Sequence, residues 1–143
     1  MTKLKVTIEK NIDIVWDHIA NIESHVTWMQ DARTIELTSG TANTVGALYK
    51  CDTKIGPLRT IDRFEIIKYD RPNFMEIFHI GTVDGTGYFK LEKIDENKTV
   101  FIWEEELKFP WYMGASIGKK IAMKLLHSIW RKNLQRLKAE IEQ

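Results

Sequence analysis

The sequence predicts an α+β domain in which a curved antiparallel sheet carries one long C-terminal helix. Three observations predict it. The last thirty residues read as one uninterrupted amphipathic helix, the stretch from Ala32 to Phe109 as strands divided by turns, and the opening residues as one strand followed by short helical segments.

Leu4, Val6 and Ile8 alternate with Lys3, Lys5, Thr7 and Glu9, the pattern of a half-buried strand. Asn11 stands where an N-cap belongs, with Asp13 and Asp17 toward the end of the helix dipole that favours acids. Ile12, Val15, Trp16, Ile19 and Ala20 follow at helical spacing, so residues 12–20 form a short helix that Asn21 can end. A second short helix or turn, Ile22 to Trp28, brings a second tryptophan back toward the body.

Strands are then expected near 33–39, 46–54, 59–69, 74–80, 86–94 and 99–109. They are punctuated by Ser39-Gly40, Gly56-Pro57, Asp70-Arg71-Pro72-Asn73, Asp84-Gly85 and Asp95-Glu96-Asn97. Six consecutive strands with short links join most simply as an antiparallel meander. In the last hairpin, Asp95-Glu96-Asn97 suits a three-residue loop with Asn97 left-handed. That register pairs Leu91 with Phe101, Phe89 with Trp103 and Gly87 with Glu105. The buried face then carries Phe101, Trp103, Leu107 and Phe109, with Glu105 in its middle, and Glu104 and Glu106 on the opposite, solvated face. A one-residue slip would reverse these faces.

Within the span Trp111 to Gln143, apolar residues recur at Ile117, Ile121, Leu125 and Ile129, and again at Leu126, Trp130, Leu134, Leu137 and Ile141. Lys120, Lys124, Arg131 and Lys138 are expected in water. At 1.5 Å per residue the helix is roughly 45 Å long, more than one sheet face can cover unless that sheet is large and curved.

Composition bounds the function. A chain of 143 residues is one domain on the usual scale, with no linker or repeat to divide it, and is taken as 1–143. Its 21 basic and 20 acidic residues leave a net charge of +1, which argues against nucleic acid as the main partner. Cys51 is alone, so an internal disulfide is excluded and a reducing compartment, the cytoplasm, is expected. No signal peptide and no membrane span are legible. The four histidines, at 18, 25, 79 and 127, have no metal-ligand spacing, and there is no phosphate loop or dinucleotide fingerprint, so neither metal nor cofactor is expected.

The order of strand, two short helices, six-strand meander and long terminal helix resembles the START-like, helix-grip superfamily (SRPBCC), in particular its polyketide cyclase/dehydrase and lipid-transport branch. The residues that carry the resemblance are Val15-Trp16, Ile19-Ala20, Trp28, Phe64-Glu65-Ile66 with Tyr69-Asp70-Arg71-Pro72, Gly87-Tyr88-Phe89-Lys90-Leu91, and Thr99-Val100-Phe101-Ile102-Trp103. One departure is Asn11-Ile12 in place of the usual Ala-Pro before the first helix. The resemblance implies a sheet gripping the helix around an internal cavity, and a small hydrophobic ligand such as a lipid, polyketide, aromatic or quinone-like molecule. It implies no shared catalytic motif, because fold does not determine chemistry.

Glu105 is the most informative candidate. An inward carboxylate without a partner would be a weak candidate for a general acid or base, or an anchor for a ligand hydroxyl. The ordinary alternative is an ion pair with an inward Arg63 or Arg59. Trp28, Phe64, Phe89, Trp103, Ile117 and Ile121 are the expected cavity lining, with Trp111 and Met113 beside Tyr112 as a gate. An apolar stripe is first of all a core, so only a void would make these a binding site. His79 lies on a strand and could face the cavity, although a surface or satisfied core position is the commoner fate. Gly114-Ala115-Ser116-Ile117-Gly118 matches the Gly-x-Ser-x-Gly elbow, but a meander lacks the parallel sheet that elbow needs. The basic face of the last helix allows peripheral membrane contact, against which Glu140 and Glu142 favour simple solvation.

Three readings follow: a carrier of a small hydrophobic molecule, a cyclase- or dehydratase-type enzyme, and an interaction module with a filled core. Whether the chain is an enzyme, and its oligomeric state, are left open by the sequence.

Overall fold

A computed structural model describes residues 2–56, 58–81, 84–108 and 116–143. Strand β1 (Thr2–Ile8) is followed by helix α1 (Ile12–Ala20) and a 3-10 helix (Ile22–Thr27). The strands β2 (Ala32–Ser39), β3 (Leu48–Ile55), β4 (Leu58–Asp70), β5 (Phe74–Ile80), β6 (Asp84–Asp95) and β7 (Lys98–Lys108) lead to helix α2 (Ser116–Glu142). All neighbours are antiparallel in one seven-stranded sheet of order β1-β7-β6-β5-β4-β3-β2. The first strand pairs with the last, so β1 and β2 form the two edges of an open sheet.

Local chemistry explains the early elements. The Asn11 side chain caps α1 by accepting the Asp13 amide at 2.9 Å, and Ile12, Val15, Trp16 and Ile19 bury one face. Asn43, left-handed at φ 58°, holds the start of the 3-10 helix through its Oδ1, which accepts the Ile22 amide at 3.1 Å.

The last hairpin adopts the expected register, with Leu91 opposite Phe101, Phe89 opposite Trp103 and Gly87 opposite Glu105. Its turn is made differently. Asn43 is the only described non-glycine residue with positive φ, so Asn97 is not left-handed. Instead the Asp95 carboxylate accepts the Asn97 amide at 2.7 Å, and an irregularity between Lys93 and Asp95 absorbs the odd residue.

The packed core lies where α2 crosses β1 and α1. Trp130, Leu134, Leu137 and Ile141 are buried together with Ile8, Ile12, Val15, Trp16 and Ile19. Polar ties fix the crossing: Lys138 Nζ donates to the Thr7 carbonyl at 2.7 Å, and Glu142 accepts the Glu9 amide at 2.8 Å. Lys138 is thus a tether as well as a solvated charge.

The expected helical stripe needs correcting at its start. Ile121 is 65% exposed and Leu125 52% exposed. Each step of four residues rotates about 40° around a helix, so the row 117–121–125–129 winds away from the face that holds Trp130 and Leu137. Ile121 consequently projects on the far side and lines nothing. Trp111, Tyr112, Met113 and the glycine at 114 lie outside the described residues, as do the side chains of Ser116 and Ile117.

Candidate functional site

The concave face of the sheet and helix α2 enclose a cavity of about 310 Å³. Its apolar wall comes from Ile35, Phe64, Met75, Ile77, Phe89 and Trp103, with Leu125, Leu126 and Trp130 of α2 opposite. Strand alternation put these side chains inward: Phe64 and Ile66 on β4, Met75 and Ile77 on β5, Phe89 and Leu91 on β6. The rings pack edge to face, Trp103 against Phe89 at 5.6 Å and against Trp28 at 5.9 Å.

Of the expected lining, Phe64, Phe89, Trp103 and Glu105 reach the cavity. Trp28 does not: it is fully buried and covered by His25, Phe89 and Trp103, so it backs the wall. Trp111 and Met113 lie outside the described residues, and the side chain of Ile117 with them.

Glu105 points inward with a side chain only 7% exposed. Its partners differ from those expected. Trp103 Nε1–H donates to Oε1 at 2.9 Å, and His79 Nε2 lies 3.1 Å from Oε2. Arg59 instead turns outward onto Asp52, at 3.0 and 2.7 Å, and Arg63 is exposed on the outer face.

The His79–Glu105 contact spans two strands, because β6 lies between β5 and β7. Two glycines make it feasible. Gly85 pairs with His79 and Gly87 pairs with Glu105, so β6 offers no side chain between them. A Cβ built on Gly87 would stand 2.3 Å from Glu105 Oε2, so the carboxylate occupies the space a side chain would fill.

Burial works against charging His79, but the adjoining Glu105 carboxylate, bonded to the ring, and the nearby Asp62 hold its pKa above the ordinary imidazole value. His25, the other histidine on the wall, goes the opposite way. Burial drives its pKa down to about 4, and its Nε2–H donates to the Ile19 carbonyl at 2.7 Å. The two rings are therefore shifted in opposite directions from the ordinary imidazole value.

Polar groups that sequence reasoning did not single out also line the cavity. Asp62 and Thr60 follow from the alternation of β4, two and four residues before Phe64, and the Thr60 hydroxyl donates to Asp62 Oδ2 at 2.9 Å. Asp31 sits in the link before β2, where no periodicity marks it. The fully buried Asn133 of α2 joins it there, donating from Nδ2 to Asp31 Oδ1 at 2.8 Å and accepting the Gln30 amide at 3.1 Å. Burial pushes the Asp31 carboxyl up, opposed by the Asn133 amide and reinforced by the charge of Glu105. Cys51 also lines the cavity, and burial raises its thiol, which disfavours the thiolate. No cluster suited to a metal ion occurs among the described residues.

Glu104 corrects another expectation. It is 9% exposed on the outer face, not solvated, and accepts a hydrogen bond from the Tyr88 hydroxyl. That bond and burial push the tyrosine up to about 12. It stands on β7 between its pairing neighbours, Lys3 of β1 and Tyr88 of β6.

No helix among the described residues is long and apolar enough to cross a membrane. No curated protein sequence matches the chain. Among solved structures, a conserved protein of Geobacillus kaustophilus is 15% identical with a TM-score of 0.81, covering 97% of this chain and 93% of its own. The Zhui aromatase/cyclase of a Streptomyces species is 12% identical with a TM-score of 0.75, covering 99% and 92%. A START superfamily protein of Mycobacterium smegmatis is 11% identical with a TM-score of 0.75, covering 99% and 96%. These likenesses establish the helix-grip fold. Residues 1–142 match the sequence family described as polyketide cyclase/dehydrase and lipid transport, and the chain belongs to that family.

Proposed function

We propose that this domain holds a small, largely hydrophobic molecule in the cavity between the sheet and α2. The observation that carries the reading is the cavity itself: about 310 Å³, apolar along most of its wall, with His79, Glu105, Asp62 and Asp31 among the residues that line it. Ligand sites usually occupy about 300–1,000 Å³ and combine an apolar body with a few placed polar groups. The volume suits a compact ring system better than a long acyl chain. Burial of apolar ligand surface at about 25 cal/mol per Å² supplies affinity, and the polar groups supply orientation. A void of this size gives no support to an interaction module with a filled core. The lone Cys51 is in keeping with a reducing, cytoplasmic setting.

The test compares the native mass of protein purified from its own cells with its denatured mass. An excess mass that leaves on denaturation is expected. A bare polypeptide that also takes up none of a panel of aromatic, quinone and acyl probes overturns the reading.

A second reading, a cyclase- or dehydratase-type enzyme, is favoured by one observation. The His79–Glu105 pair at 3.1 Å stands on the cavity wall, where a proton could pass between the pair and a bound carbonyl or hydroxyl. Glu105→Gln separates the two. A carrier keeps its ligand with altered affinity, whereas an enzyme binds substrate and loses turnover.

A further inference from the structure

The balance of charge around the cavity says more about its occupant, given the proposed reading of the cavity as a ligand site. Glu105 has His79 beside it at 3.1 Å, and the carboxylate favours the charged form of that ring. Among the described residues, the side chain bonded to the Asp31 carboxylate is the neutral amide of Asn133, and the side chain bonded to Asp62 is the neutral hydroxyl of Thr60. The second oxygen of Asp62, Oδ1, is turned away from the cavity onto Gly81, which leaves Oδ2 as the carboxylate oxygen nearer the open space. His25 cannot compensate these acids, because its Nε2–H is committed to the Ile19 carbonyl and burial keeps the ring neutral. Among the described residues that line the cavity, none is Lys or Arg.

We propose that the cavity selects a hydrophobic cation, a compact aromatic or alicyclic amine whose ammonium group is drawn to the lining carboxylates Asp31 and Asp62, and disfavours amphiphiles that end in a carboxylate or phosphate. The apolar wall of Phe64, Met75, Ile77 and Phe89 takes the ring, and the acidic groups take the N–H donors. A fatty acid in the same pose brings a further carboxylate against these acids, with no guanidinium or ammonium among the described lining residues to receive it. An ammonium instead supplies up to three donors to carboxylate acceptors.

The test uses one ring system with three polar ends: 2-naphthylmethylamine, 2-naphthylmethanol and 2-naphthylacetic acid, each titrated into the whole protein by calorimetry at pH 7. The amine is expected to bind at least about tenfold tighter than the acid, with the alcohol between them. The ratio of amine to alcohol affinity is expected to fall by about fivefold in Asp62→Asn and to approach one in Asp31→Asn/Asp62→Asn. Should a variant fail to fold, the wild-type ladder with its salt dependence decides, since the amine's advantage shrinks as ionic strength rises. Binding of the acid as tight as or tighter than the amine overturns this inference and leaves the cavity a ligand site. Binding of none of the three overturns the ligand-site reading, and this inference with it.

Discussion

Where α2 crosses β1 and α1, Leu134, Leu137 and Ile141 are at most 6% exposed, in one buried cluster with Ile8, Ile12 and Val15. One to four turns earlier the same helix sets Leu125, Leu126 and Trp130 against a cavity edged by Asp31, Asp62, His79 and Glu105. The first region is apolar and closed, and its polar contacts, such as Lys138 with Thr7, sit at its rim. The second keeps polar groups inside. The comparison teaches how the fold tolerates them: one half of the helix anchors by burial, and the other half is free to leave space beside groups that each need a partner.

Removing an anchor should have the largest effect. Leu137→Ala is expected to cost about 3 kcal/mol, within the range for fully buried leucines, whereas Leu125→Ala at the cavity edge should cost under about 0.5 kcal/mol. Urea unfolding of both variants checks this, and equal losses would abolish the distinction between the halves.

The two wall histidines sharpen the contrast through pH. His25 has its folded pKa down at about 4 against about 6.5 unfolded, so its contribution is full above about pH 6.5 and is lost as pH falls toward 4. The loss is about 3 kcal/mol, read as the difference in unfolding free energy between pH 7 and pH 4, and His25→Gln should flatten it. His79 has the opposite sign. Its raised pKa means that the stability from its pair with Glu105 is present below about pH 6.5 and fades as pH rises through the folded value. Imidazole proton resonances followed from pH 4 to 9 should show the two rings titrating in that order, and a reversed order would refute the assignment.

Gly87→Ala tests the seat of Glu105. The added methyl would meet the carboxylate at 2.3 Å, so the side chain must move and lose its bonds to Trp103 and His79. A cost of about 1–3 kcal/mol is expected, together with a downward shift of the His79 titration. An unchanged His79 titration would show that the pair does not depend on that gap.

Ala32→Leu should perturb stability little. Ala32 borders the cavity, so the larger side chain grows into space that already exists, at a cost of less than about 1 kcal/mol, while it competes with any ligand. Undiminished uptake of 2-naphthylmethanol would place the ligand elsewhere.

Periodicity alone determined most of the fold. Alternation in Leu4, Val6 and Ile8 and in Phe101, Trp103 and Leu107, with turn residues at fixed offsets, specifies strands, faces and the register of β6 with β7, since a one-residue slip would exchange the faces. It put Glu105 inward for the same reason. What alternation cannot carry is distance across the sheet. The meeting of His79 with Glu105 depends on two glycines in an intervening strand, and that of Asp31 with Asn133 on the docking of α2, each joining residues far apart in sequence. The exposure of Ile121 and the burial of Glu104 were likewise decided in three dimensions, by how far the helix rotates along its length and by which strands flank β7. A sequence pattern says which face a side chain takes; whether that face meets atoms, water or a cavity depends on the tertiary packing.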